Sequence, residues 1–183
     1  MLQVGRKSLY RLRQFWLGLQ ADVTPDELEK AAGILSPAAF LLFSRLPIDG
    51  QRHSLNVLQT LQKQSETASP LAAAALLHDV GKVAATDAGL EITLWWRGPL
   101  VLLESFAPNL LNHLASPDPQ THWRYLFYVH QEHPQIGAAW AAAAGCSPLT
   151  CWLIAHHQDR RIADPQSEKE RLLARLQWAD SRN

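Results

Sequence analysis

Apolar positions along the chain recur at helical rather than strand spacing. Runs such as SLNVLQTLQ (54–62) and PLAAAALLHDV (70–80) have helical length and consist mostly of good helix formers. The β-like run ITLWW (92–96) leads directly into another helical pattern. The pattern therefore predicts an all-α protein.

Helix-start signals support this reading. Four pairs join a capping residue to a proline, which favours the first turn of a helix: Thr24-Pro25, Ser36-Pro37, Ser147-Pro148 and Asp164-Pro165. Glu27 follows Thr24 by three residues, which is the spacing of a capping box. Gly145 closes the alanine-rich run IGAAWAAAAG, as expected of a glycine at a helix C-terminus.

The chain shows no internal repeat or composition break, and its 183 residues suit one domain. We expect residues 1–45 to form a helical extension packed on that domain. The first twenty residues mix Lys and Arg with Leu, Tyr, Phe and Trp and lack a signal peptide's apolar region. They could dock on the domain, or form a basic amphipathic helix that contacts a membrane surface or a partner protein. Trp95-Trp96 could likewise belong to the core or to a partner surface.

Composition excludes several classes of protein. Apolar residues make up 47% of the chain and charged residues 19%, as in globular domains. Lys plus Arg equal Asp plus Glu, at 17 each, so no broad field favours nucleic acid as a partner. Cys146 and Cys151 are too few for a disulfide framework and indicate reduced thiols in a cytoplasmic protein. No stretch has the length and apolarity of a transmembrane helix.

Histidines are concentrated at predicted helix ends. His53 begins one helix, and Asp49 precedes it by four residues, so the two share a face if the helix reaches back that far. His78 ends a buried helix, while His133 is expected to begin another one in HPQIG. His156-His157 end the helix after that, and Asp180 lies near the end of the chain. Neutral imidazoles and carboxylates suit divalent transition metals, and ligands at helix ends leave coordination positions open for catalysis.

The order of these residues carries a family resemblance. His53, then HDVGK (78–82), HPQIG (133–137), His156-His157 and Asp180 resemble the HD superfamily of metal-dependent phosphohydrolases. The likeness is greatest to the bacterial branch with the pattern H…HDxGK…HPxxG…HH…D. It covers about residues 46–181, and it implies a single all-α HD-type domain over residues 46–183.

The resemblance also implies roles. It places two divalent ions, of Mn, Fe, Ni, Co or Zn, in the domain. The first would be held by His53, His78, Asp79 and Asp180. Asp79 would bridge to the second, which His133 and His156 complete. His157 and Asp49 match positions whose ligand role stays open. Lys82 would face a substrate phosphate, unless it is an exposed lysine after a helix stop.

The implied activity is hydrolysis of a phosphate mono- or diester, with a nucleotide-like substrate. A metal-activated hydroxide would attack at a binuclear His/Asp site, with Asp79 and Lys82 as catalytic residues. HD-GYP relatives, which cleave cyclic dinucleotides, follow their HH pair with a Gly-Tyr-Pro motif. Here the segment QDRRIADPQSEKE (158–170) contains neither Gly nor Tyr, which argues against cyclic di-GMP as the substrate. Arg160 and Arg161 in that segment could contact an anionic substrate or form a solvated loop.

Two other functions remain open at this level. Some HD-superfamily members use a similar ligand set for a mixed-valence di-iron oxygenase reaction. Others are signalling or scaffold modules without catalysis, and such a module could retain its metal. Bound iron with an oxygen-dependent reaction would identify the first, and bound metal without turnover the second.

Overall fold

A computed structural model describes residues 22–65, 67–90 and 113–183, and within them the regular structure is helical. This confirms the predicted all-α class. The predicted helix over the first twenty residues, the run ITLWW and the Trp95-Trp96 pair lie outside the described residues. No helix in the described ranges has the length and apolarity needed to cross a membrane.

The helices are numbered in chain order through the described part. They are α1 (Pro25–Ile34), α2 (Pro37–Ser44), α3 (Ile48–Gln62), α4 (Ser69–Leu77), α5 (Val83–Asp87), α6 (Trp123–Ala143), α7 (Pro148–His156) and α8 (Glu168–Asp180). Short 3-10 turns occupy Val80–Lys82 and Pro119–Thr121.

Three of the four predicted helix starts are confirmed. The side chains of Thr24, Ser36 and Ser147 cap α1, α2 and α7, and Thr24 forms the expected capping box with Glu27. Gly145 has φ +79° and follows the end of α6 as expected.

The fourth signal, Asp164-Pro165, does not start its helix. Instead, Ser167 caps α8, and its hydroxyl accepts a hydrogen bond from the Glu170 amide while the Glu170 carboxylate accepts from the Ser167 amide. The helix starts three residues later than Pro165 predicts, because this reciprocal pair satisfies two amides of the first turn at once.

The segment HPQIG does not begin a helix. Helix α6 starts ten residues earlier, at Trp123, and continues through Pro134 to Ala143. A proline in a helix interior removes one backbone hydrogen bond, so the sequence pattern favoured a boundary there. The structure instead keeps the helix intact around Pro134.

Helix α4 lies at the centre of the core. Six of its residues are buried, among them Leu71, Leu76 and Leu77, and its alanines allow neighbouring helices to approach closely. A helix that is apolar on nearly all sides is expected to be surrounded by others. His78 caps its C-terminus, so the HDVGK motif begins where the most buried helix ends.

Helices α1 and α2, from the predicted extension, contribute to this same core. Ala31, Ala39 and Phe43 are almost fully buried in one cluster with side chains of α3, α4, α7 and α8. The boundary at residue 46 stays a prediction, but the packing across it is continuous.

Candidate metal centre

Six side chains from five parts of the fold converge beside the end of α4. They form two groups whose potential ligand atoms lie within 4.8 Å of one another: His53, His78 and Asp180 in one, and Asp79, His133 and His157 in the other. The residues come from α3, the end of α4, α6, the end of α7 and the end of α8. Residues from motifs that are far apart along the sequence thus lie close together in the fold.

In the first group, His53 of α3 lies beside Asp180 at the end of α8. The Nε2 atom of His53 lies 3.0 Å from Oδ1 of Asp180 and 3.3 Å from Nε2 of His78. His78 is fully buried, and its Nε2 lies 3.6 Å from the same Asp180 oxygen. Two imidazole nitrogens and a carboxylate oxygen therefore face one small volume.

The second group is more deeply buried. His133 and His157 are 0% and 4% exposed. Their Nε2 atoms lie 3.4 Å and 3.7 Å from Oδ1 of Asp79.

Asp79 links the two groups through different oxygens. Its Oδ1 faces His133 and His157, while its Oδ2 lies 3.7 Å from Nε2 of His78 and 3.9 Å from Nε2 of His53. The residue has φ −98° and ψ 0°, in the sparsely populated bridge region where many active-site residues lie. One carboxylate thus presents one oxygen to each group, which is the arrangement that a bridging ligand requires.

The three buried histidines are oriented in the same way. In each, Nδ1 is hydrogen-bonded to the backbone carbonyl three residues earlier: Ala75 for His78, His130 for His133 and Ile154 for His157. A ring whose Nδ1–H donates to a carbonyl keeps its Nε2 lone pair free, and this is the usual second contact of metal-binding histidines. All three Nε2 atoms face the cluster.

Two of these nitrogens have unmet bonding capacity that fits a metal. Among the described residues, four buried side-chain polar atoms lack a hydrogen-bond partner, and two are Nε2 of His133 and Nε2 of His157. Buried polar atoms are nearly always paired, so two unpaired nitrogens at 3.4–3.7 Å from a carboxylate oxygen are suited to binding a cation. Neutral imidazole and carboxylate are the donors that Mn, Fe, Co, Ni and Zn accept.

The electrostatics of the site agree with this fit. Burial lowers the pKa of His133 to about 4, so its imidazole is neutral at physiological pH. Burial also opposes the charge on His78, but the carboxylates of Asp79 and Asp180 outweigh it and raise the pKa of His78. The pKa of Asp79 lies well below its usual value despite burial, because the charges of Lys82 and His78 favour the carboxylate. A metal would therefore meet ionised carboxylates and compete with a proton on His78.

Lys82 lies at the rim of the cluster. Its ammonium donates to Oδ2 of Asp79 over 2.7 Å, and its side chain is 40% exposed. The lysine of HDVGK thus reaches the cluster from the solvent side, rather than pointing away after a helix stop.

The glycines of HDVGK and HPQIG are explained by packing. A Cβ on Gly81 would lie 2.0 Å from the carbonyl oxygen of His133 and 2.8 Å from the amide nitrogen of Gly137. The 3-10 turn after Asp79 therefore lies directly on the backbone of α6, which keeps Asp79 beside His133. The φ of Gly81 is not positive, so the glycine is required by this close approach and not by an unusual backbone conformation.

Two residues of the sequence-based ligand set lie outside the cluster. His156, expected to complete the second metal, is about one-third exposed, hydrogen-bonds through Nδ1 to Asp159 and packs on the Trp152 ring. The adjacent His157 occupies the place expected for it, because consecutive residues at a helix end point in different directions. Asp49 does share helix α3 with His53, one turn earlier, but it belongs to neither ligand group.

A polar cavity of about 270 Å³ adjoins the cluster. The cluster residues His157 and Asp180 form part of its wall. The other lining residues are His130, Gln158, Asp159, Arg161, Gln177 and Ser181. The sequence patterns singled out neither His130 nor Gln177. Their only sequence signal is position, since each precedes a cluster residue by three.

Comparison with known proteins supports the resemblance. A family model described as the HD domain matches residues 50–181, which is most of the chain and includes all six clustered residues. Neither the curated proteins nor the solved structures gave a significant match.

Proposed function

The chain belongs to the HD domain family, and on that premise we propose that it is a metal-dependent phosphohydrolase that cleaves a phosphate mono- or diester. The observation that carries the proposal is the position of Asp79. Its two oxygens face two separate groups of metal-binding side chains, so one carboxylate can serve two ions.

The ligand sets follow from the geometry. His53, His78, Asp180 and one oxygen of Asp79 would hold one ion, and His133, His157 and the other oxygen would hold the second. Bound there, a pair of divalent ions would lower the pKa of a water molecule and offset negative charge on a phosphoryl group. With three protein ligands, the second ion would keep a coordination position open for water or a substrate.

Lys82 has the chemistry of a phosphate-binding residue. Its ammonium is a compact positive charge beside Asp79, and its 40% exposure leaves hydrogen-bond donors available to a ligand. We propose that it contacts a phosphoryl oxygen and stabilises the charge that develops there during transfer. Asp79 would orient this ammonium as well as the ions.

The neighbouring cavity is proposed as the binding place for the rest of the substrate. Its wall offers amides, a hydroxyl and the guanidinium of Arg161, which can bind a phosphate or carboxylate bidentately. Arg160 next to it does not line the cavity. The volume is close to the lower limit for small-molecule sites, which favours a nucleotide-sized substrate or smaller.

The test is to measure metal content and turnover together. Purified protein should contain transition metal and hydrolyse members of a panel of phosphate monoesters, nucleotides and phosphodiesters when Mn²⁺ or Ni²⁺ is added. Asp79→Asn should lose both metal and turnover, because it removes an anionic ligand from both groups. Asp87→Asn is the matched control, since Asp87 pairs with Arg45 at the surface and belongs to neither ligand group.

The outcomes separate the alternatives. Bound metal without hydrolysis of any ester would favour a non-catalytic metal-binding module. Bound iron with an oxygen-dependent reaction would favour an oxygenase. An Asp79→Asn protein with full metal content and turnover would refute the bridging role.

A further inference from the structure

Each of the three buried histidines donates from Nδ1 to a backbone carbonyl. The reason that this carbonyl can accept from a side chain differs among the three. Ala75 and Ile154 lie in the last turns of α4 and α7. Carbonyls in the last turn of a helix lack the amide that a continuing helix would supply four residues later, so a side-chain N–H can use them. The Nδ1 atoms of His78 and His157 do so at 3.0 Å and 2.8 Å. The Ile154 carbonyl also accepts the His157 amide, over a long 3.5 Å.

His133 has no helix end nearby. It lies in the middle of α6, ten residues after the first residue of the helix and ten before the last. In a regular α-helix the carbonyl of His130 would accept the backbone N–H of residue 134. The Nδ1–H of His133 would then have to share an acceptor that is already engaged.

Residue 134 is a proline, so this competing donor does not exist. Proline lacks a backbone N–H, and its ring also crowds the carbonyl four residues earlier. The carbonyl four residues before Pro134 is that of His130, the one that accepts from Nδ1 of His133 at 2.8 Å. Pro134 is buried within α6, next to the fully buried His133.

We infer that Pro134 is a positioning residue for His133: it removes the amide at residue 134 that would compete for the His130 carbonyl, and this fixes the ring with Nδ1 protonated and Nε2 facing Asp79. Inside α6, the proline removes the backbone amide that would otherwise occupy the carbonyl. At α4 and α7, the end of the helix has the same effect. The inference rests on the proposed function only in taking His133 as a metal ligand.

The main test is Pro134→Ala. Alanine restores the backbone N–H and is a better helix former, so the variant should fold with an unchanged or higher melting temperature in the absence of metal. Its affinity for Zn²⁺, measured by competition with a chelating dye, should nevertheless fall about 10–100-fold, as is typical when a second contact of a metal-binding histidine is lost. If Pro134 served only the stability of the helix, its substitution would not lower Zn²⁺ affinity while the melting temperature stays unchanged or rises.

A second measurement reads the ring directly. Long-range ¹H–¹⁵N spectra of protein with ¹⁵N-labelled histidine identify which nitrogen carries the proton. In metal-free wild-type protein, His133 should be protonated on Nδ1 alone, and in Pro134→Ala it should populate the Nε2-protonated form. Pro148→Ala is the matched control, because Pro148 is at the first position of α7, where an added N–H has no acceptor within the helix. It should leave the His133 spectrum and Zn²⁺ affinity unchanged.

The results distinguish failure of this inference from failure of the proposed function. Wild-type protein without Zn²⁺ affinity would contradict the proposed metal centre, while the spectra would still decide the role of Pro134. Pro134→Ala with wild-type Zn²⁺ affinity and Nδ1-protonated His133 would overturn the inference. A Pro134→Ala protein that does not fold would also overturn it, since the proline would then be required for the helix itself.

Discussion

The two adjacent histidines at the end of α7 have different surroundings and should differ in function. His157 is buried with its Nε2 facing Asp79, whereas His156 hydrogen-bonds to Asp159 at the surface. We expect His157→Ala to weaken Zn²⁺ binding at least tenfold, about the smallest effect of removing even a second contact of a ligand. His156→Ala should keep Zn²⁺ affinity within about twofold and cost no more than about 1 kcal/mol of stability, as for other exposed pairs. Metal competition titrations check both, and the reverse ranking would contradict the ligand assignment.

Two adjacent arginines offer a similar comparison on the substrate side. Arg161 lines the cavity beside the cluster, and Arg160 does not. If the cavity binds an anionic part of the substrate, Arg161→Ala should raise KM about tenfold or more with little change in metal content, because a charge-assisted hydrogen bond contributes about 1.5–3 kcal/mol. Arg160→Ala is the control for loss of surface charge. Equal effects of the two substitutions on KM would indicate that the substrate responds to the overall positive charge and not to a specific contact with Arg161.

At the residue scale, the sequence predicted which side chains come together but not how each is oriented. The order of the motifs and the resemblance that it carries grouped His53, His78, Asp79, His133 and Asp180, and the structure brings these five together. The choice between His156 and His157 depends on how the end of α7 is rotated toward α4, and a local pattern of two histidines carries no such information. The contacts of the His78 and His157 rings to backbone carbonyls also depend on where α4 and α7 end.

At the scale of elements, the contact between the 3-10 turn after Asp79 and helix α6 sets the distance between Asp79 and His133. A Cβ on Gly81 would lie 2.0 Å from the His133 carbonyl oxygen, so Gly81→Ala must separate the turn from the helix. We expect a loss of about 3 kcal/mol in the free energy of unfolding, at the upper end of overpacking effects. Zn²⁺ binding should weaken too, even below the unfolding transition, because Asp79 moves away from His133.

The control for this change is Gly33→Ala. Nothing lies within 4 Å of a Cβ at Gly33, which is in helix α1. Alanine there should leave stability unchanged or raise it by up to about 1 kcal/mol, since glycine is unfavourable in helices. Chemical denaturation of both variants is the measurement. A Gly81→Ala protein as stable as Gly33→Ala would show that the close approach is not required.

Helix boundaries were predictable where a local capping signal decides them. Thr24, Ser36 and Ser147 each cap the helix that the sequence indicated. The prediction that HPQIG begins a helix was wrong, because α6 runs through Pro134. The His130 carbonyl, which would accept from an amide at residue 134, accepts from Nδ1 of His133 instead, so a hydrogen bond within the helix replaces the one that proline removes.

At the scale of the whole molecule, a polar link joins α1 to the helix that carries His53. The guanidinium of Arg52 in α3 donates to both carboxylate oxygens of Glu27 in α1, at 2.7 Å and 2.6 Å, and Gln59 donates to the same carboxylate. The side chains of Glu27 and Arg52 are only 17% and 22% exposed. This link, together with the shared apolar core, fixes residues 25–44 on the domain next to one of the clustered histidines.

The same link should give the protein a measurable dependence of stability on acid. The hydrogen bonds from Arg52, helped by those from Thr24 and opposed by burial, lower the pKa of Glu27 from 4.5 to about 2. Because the folded pKa is below the unfolded value, the stabilisation is complete above about pH 4.5 and disappears as the pH falls toward 2.

Glu27→Gln should therefore be less stable than wild type by about 1.5–3 kcal/mol at neutral pH, with the difference shrinking between about pH 4.5 and pH 2. Glu29→Gln, an exposed change on the same helix, should alter stability by less than about 0.5 kcal/mol. Urea denaturation of the three proteins between pH 2 and pH 7 measures these differences in stability. Because all three proteins share the same cluster of histidines and aspartates, the titration of that cluster cancels in the differences. A gap between wild type and Glu27→Gln that stays constant over the whole range would mean that the carboxylate of Glu27 does not stabilise the attachment of α1 through its charge.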